Sequence, residues 1–113
     1  MGYDRMCPRY QRAALLLGKK WNGLILRVLM GGPRRFHEFR DQVPALSERL
    51  LSERLREFEE QGLVRREVQA YRPVLILYEL TDKGRELEGV VQSIQAWANR
   101  WMEVEAGREP ARR

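Results

Sequence analysis

A chain of 113 residues has room for one hydrophobic core but not for a second domain of similar size, which favours a small regulator or binding module over a multi-domain enzyme. Hydrophobic residues at 43% and charged ones at 33% describe a folded domain, and no apolar run approaches the ~20 residues of a bilayer-spanning helix. The formal charge of +5 favours a polyanionic partner, although excess charge also serves solubility. One cysteine and one histidine exclude an internal disulfide framework and any Cys/His metal cluster within one chain. The opening residues lack the apolar core of a signal peptide, and Met6 stands where a myristoylation signal would carry Ser or Thr. A cytoplasmic protein with no membrane association is expected.

Cys7-Pro8 opens a first predicted helix through Leu17, with Pro8 suited to a first helical position and Ala13, Ala14 and Leu15 to Leu17 on its apolar side before Gly18. Trp21, Leu24, Ile25, Val28 and Leu29 follow a helical period that stops at Gly31-Gly32-Pro33, giving a second, largely core helix. Phe36 and Phe39 flank a short helical stretch through Val43, and Pro44-Ala45-Leu46 separates it from an amphipathic helix over 47–61. In that helix Leu51, Leu55 and Phe58 form a core face, Ser47 suits the N-cap and Gly62 closes the end. Two short helices joined by a tight turn, the second with a polar outer face, have the outline of a helix-turn-helix.

Past Gly62 the period alternates. Leu63, Val64 and Val68 predict one strand, and Val74, Ile76, Tyr78 and Leu80 line one side of another, with Ala70-Tyr71-Arg72-Pro73 turning between them as a hairpin wing. Thr81 caps a last helix in which Leu87, Val90, Ile94, Trp97, Trp101 and Val104 recur at alternating intervals of three and four, a coiled-coil seam for a second chain. The expected fold is mainly α with a small β-hairpin wing. The whole chain, 1–113, forms one domain: helices and wing over 7–81, a dimerisation helix over 82–105 and a basic tail over 106–113.

The polar face of the 47–61 helix offers groups that read or hold DNA. Arg49 can bond guanine bidentately, Ser52 can reach base or phosphate, Glu53 can accept from a cytosine amino group, Ser47 is a further candidate for base reading, and Arg56 suits phosphate. Arg34, Arg35, Arg65, Arg66 and Arg72 surround this helix and the wing as candidate phosphate contacts. The plain alternative is a solvated face with internal Glu/Arg pairs. Cys7, at a helix start between Arg5 and Arg9, sits in positive potential that favours the reactive thiolate. No assembled catalytic group, metal site or cofactor loop is present, so an enzyme is not expected.

Cys7-Pro8, Lys20-Trp21, the Gly32-Pro33-Arg34-Arg35-Phe36 block with Glu38-Phe39, then Ser47, Arg49, Leu51, Arg54-Leu55-Arg56, Glu59, Gly62-Leu63-Val64, Tyr78, Leu80-Thr81 and Gly84 occur in order. In these residues the chain resembles the HxlR-type winged-helix transcriptional regulators, from Cys7 to Trp97. The resemblance implies a winged helix-turn-helix with an added N-terminal helix, acting as a homodimer on a pseudo-palindromic operator in double-stranded DNA. It also implies that Cys7 senses an oxidant or small electrophile, in some members by bridging subunits. Lys19 departs from the family's second glycine, and Leu75 and Leu77 stand where the outer side of the wing usually carries polar residues. A winged fold without DNA binding, docking another protein through that hairpin or the Trp seam, is the alternative.

Overall fold

The computed structural model describes residues 2–70 and 72–104, so Tyr71 and the predicted basic tail lie outside the described residues. The elements are α1 (Pro8–Gly18), α2 (Asn22–Met30), α3 (Phe36–Gln42), α4 (Glu48–Glu60), β1 (Val64–Gln69), β2 (Leu75–Leu80), α5 (Asp82–Arg85) and α6 (Glu88–Trp101). None of the described helices is long and apolar enough to cross a membrane. The mainly helical fold with a hairpin wing is as expected.

The core gathers Ile25, Leu26, Val28 and Leu29 of α2, Phe39 of α3, Leu46 of the turn, Leu51, Leu55 and Phe58 of α4, then Leu63, Val64 and Leu80. Helices α1 and α6 contain no buried residue and lie against the outside of this cluster through partly buried Leu16, Leu17 and neighbouring Leu87. Both ends of α4 are fixed by local chemistry. Ser47 Oγ accepts from the Leu50 amide at 3.1 Å. At the far end the Gly62 amide reaches Glu59 O and the Leu63 amide reaches Phe58 O, each at 2.9 Å. This Schellman closure needs a left-handed residue, supplied by Gly62 at φ 77°, and it brings Leu63 onto Phe58 inside the core.

β1 and β2 pair antiparallel from Val64 opposite Leu80 to Gln69 opposite Leu75. Arg34 adds a bridge on the other edge of β2, exchanging two 2.8 Å backbone bonds with Tyr78, whose ring meets Phe39 edge-to-face at 6.2 Å. The wing is thereby tied to the start of α3. At Gly84 a Cβ would collide with the Leu63 carbonyl, so α5 packs on the wing base only because this residue has no side chain.

Several boundaries differ from the sequence reading, most of them by a single residue at a cap. Trp21 is outside α2 and takes left-handed backbone at φ 78°, while Lys19 is extended at φ −65°, ψ 137°, which any residue adopts, so the missing second glycine costs nothing there. Val74 precedes β2, and Leu75 and Leu77 are half-buried rather than bare. The register sets Gln69 and Glu67 opposite them on the same face. The terminal helix is divided at Glu86 and Leu87, which keep right-handed dihedrals (ψ −11° and −1°) and link α5 to α6 by a turn. It ends at Trp101, with Met102 extended, so Val104 lies beyond the helix that carries the rest of the seam.

Candidate nucleic-acid interface

Helices α3 and α4 form the helix-turn-helix, and the intervening turn is braced by Arg40, whose Nε donates to Leu46 O at 2.8 Å while Nη1 lies 3.4 Å from Glu48. With Leu51, Leu55 and Phe58 turned inward, Arg49, Ser52 and Arg56 are exposed on the other side of α4. Arg49 is paired within the helix, its Nη1 donating to Glu53 Oε2 at 3.0 Å. Ser47 is exposed, but its oxygen is engaged as the cap.

The arginines proposed for phosphate divide into two sets. Arg56, Arg66 and Arg72 are exposed and carry no ion pair among the described residues. Arg35 is also exposed, and its amide donates to Glu38 Oε1 at 2.7 Å, which secures the start of α3. Arg65 is instead neutralised by its cross-strand partner Glu79 at 3.1 Å and by Glu67 at 3.6 Å. Arg34 is half-buried, with Nε donating to Val28 O at 3.0 Å, so it serves the α2–α3 corner and the wing bridge. These two side chains, which the sequence reading offers to phosphate, already have protein partners. His37 is exposed and lies 3.2 Å from Asp41, an ordinary helical pair.

Cys7 is the N-cap of α1 and is exposed, with its carbonyl accepting from the Gln11 amide at 2.9 Å and its side chain forming no capping bond. On α6, Val90, Ile94, Trp97 and Trp101 leave much of their surface bare, at 41%, 59%, 57% and 61% exposure. Leu24 of α2 and Leu15 of α1 are also bare, and a groove of ≈ 270 Å³ runs between α1, α2 and α6 past Leu17, Leu24, Val90 and Ile94.

Over residues 16–106 the chain matches the family model described as HxlR-like helix-turn-helix. The chain belongs to this family. It is similar to the HTH-type transcriptional regulator YodB of Bacillus subtilis (strain 168), with 48% identity over 100 residues, 88% of this chain and 89% of that protein. YodB from B. subtilis is solved in a reduced form, at 47% identity over 88% of this chain and 97% of that one, with a TM-score of 0.77. Its quinone-bound form matches at 46% identity over 85% and 100%, with a TM-score of 0.73. The redox regulator HypR in its oxidized form shares 36% identity over 87% of this chain and all 100% of that one, with a TM-score of 0.80. The HxlR-type chain described here is accordingly a transcriptional regulator, and no enzyme family is indicated.

Sequence reasoning missed the residues that support α4 in this HxlR-like chain. Arg54 is 8% exposed and donates through Nε to Lys20 O at 3.1 Å, tying α4 to the α1–α2 turn. Lys19 Nζ reaches both Glu57 oxygens at 3.0 Å from the same turn, and Asn22, 1% exposed, donates to Leu16 O at 2.8 Å. One signal was available: Arg54 lies three residues after Leu51 on the apolar face, where a cation needs a designated acceptor.

Proposed function

We propose that the protein acts in the cytoplasm as a homodimer that binds a pseudo-palindromic site in double-stranded DNA, with Cys7 making that binding responsive to an oxidant or small electrophile. The observation that carries the reading is the outward face of α4, where Arg49, Ser52 and Arg56 stand exposed on a helix capped at both ends and backed by the core. Arg49 and Ser52 suit base edges in the major groove, and Arg35, Arg56, Arg66 and Arg72 suit phosphates. Two copies joined through the bare Val90, Ile94, Trp97 and Trp101 stripe would read half-sites about 34–36 Å, or a multiple of it, apart.

The sensing role is supported by the exposure of Cys7 at the start of α1 and by similarity to proteins solved in quinone-bound and oxidized forms. With an oxidant, two Cys7 thiols from the two copies form a disulfide and pass two electrons and two protons to it. With a quinone, the thiolate adds to a ring carbon, one quinone oxygen takes a proton from solvent and the other takes the proton displaced from that carbon, which leaves a hydroquinone joined to sulfur as a thioether. Either change at α1 would alter the spacing of the two reading heads.

The test is in vitro selection of bound DNA with reduced and diamide-treated protein. A two-fold sequence, an affinity that falls steeply with salt, and a diamide effect absent from Cys7→Ser are expected. Arg49→Ala should cost about 1–3 kcal/mol and relax selection at one base pair per half-site. Salt-insensitive capture of a protein, with no sequence preference for DNA, would refute the DNA reading, and equal diamide sensitivity of Cys7→Ser would refute the sensor.

A further inference from the structure

We infer that Arg54 and Glu53 are positioning residues that hold Arg49 in place for base reading, and that Glu53 is not itself a base reader. The inference rests on the DNA reading proposed above and specifies how its central side chain is oriented.

The charges run in order from the interior to the surface. Arg54, with a side chain 10% exposed, is pinned by its Nε to Lys20 O at 3.1 Å. Its Nη1 faces Glu53 Oε1 at 3.7 Å and Glu57 Oε1 at 3.9 Å. Glu57 is itself fixed by Lys19 at 3.0 Å. Glu53, 45% exposed, turns its other oxygen to Arg49 Nη1 at 3.0 Å, and Arg49 is 77% exposed. An arginine followed four residues later by a glutamate is the weaker order for a helical pair, worth at most about 0.5 kcal/mol in isolation. What changes its meaning here is the second oxygen, which faces a guanidinium that cannot move away. Glu53 is thus bracketed by two cations, which offsets the repulsion a lone carboxylate would meet at a phosphate surface. The contact occupies one N–H of Arg49 and leaves the remaining donors of its fork for a guanine edge.

The experiment measures competition binding of the full chain to the selected operator and to a set carrying every single base-pair change, for Arg49→Ala, Glu53→Gln, the double variant and Arg54→Lys, with thermal unfolding of each. Arg49→Ala and Glu53→Gln should weaken discrimination at the same base pair. The Glu53→Gln loss should be about two- to tenfold, the cost of ordering one free arginine on binding, and the double variant should be no worse than Arg49→Ala alone. Arg54→Lys should reproduce the loss of discrimination at that base pair. The inference is overturned if Glu53→Gln shifts preference at a different base pair additively with Arg49→Ala, which would make Glu53 a reader, or if it leaves the base pair read by Arg49 untouched. If Arg49→Ala alters no base preference, the DNA assignment of Arg49 fails and the positioning role falls with it. Glu53→Gln removes no core contact, so its result stands even if Arg54→Lys unfolds.

Discussion

Replacing Trp97 with alanine tests the proposed dimer through a residue that the single chain does not bury. With 57% of its surface bare, a tryptophan of roughly 250 Å² has about 140 Å² left for a partner. At about 25 cal/mol per Å², complete cover would stabilise association by about 3.5 kcal/mol per copy, and a two-fold interface carries the residue twice. Alanine keeps part of the contact and part of the rim stays wet. A loss of about 3–5 kcal/mol for the dimer is therefore the reasonable expectation, a rise in dissociation constant of two to three orders of magnitude or more. Sedimentation equilibrium over a concentration series reads that constant, and far-ultraviolet circular dichroism checks that the helices persist. A shift smaller than tenfold with helicity retained would remove Trp97 from the interface. Loss of helicity at all concentrations would show instead that Trp97 supports the monomer fold.

Three further outcomes are expected. Gly84→Ala sets a methyl against the Leu63 carbonyl, a backbone atom that cannot rotate away, and should destabilise by about 1–3 kcal/mol, seen as a lower urea midpoint at unchanged slope. Ser47→Ala removes the α4 cap and should cost about 1 kcal/mol of folding stability, read in the same assay, while an unchanged stability would deny the capping bond. Arg66→Ala and Arg72→Ala should each lower the salt slope of DNA binding by about 1, whereas Arg65→Ala, already paired with Glu79 and Glu67, should change it much less. An equal drop for all three would mean that the Arg65 pair opens on DNA.

What could be read in the sequence was what local chemistry decides. The apolar period of Leu51, Leu55 and Phe58, the caps at Ser47 and Thr81 and the left-handed Gly62 follow from helix geometry and backbone sterics, and all four features are present. The break at Glu86 and Leu87 was not readable, because both residues keep right-handed backbone and the apolar spacing runs on across the turn. The left-handed Trp21 escaped for a different reason: the conformation costs a non-glycine residue about 1 kcal/mol or more, and it persists because the tertiary ties around it fix the turn.

The charged residues show the same division more sharply. Composition supplied twenty-one lysines and arginines against sixteen acids, yet which cations are available to a polyanion depends on contacts that only the folded chain makes. Arg65 lost its availability to Glu79, fourteen residues on, only because the hairpin register places the two opposite each other. Arg34 lost its own to a carbonyl of α2, and Arg54 was drawn inward to the α1–α2 turn thirty-four residues before it. Arg56 and Arg49 differ by two helical turns and by no property visible in the sequence, but one carries no ion pair among the described residues and the other is held by Glu53. For a binding face of this kind, the positions of the cations follow from the helical period, whereas their freedom to meet a phosphate or a base follows from which carboxylates and carbonyls the fold has already given them.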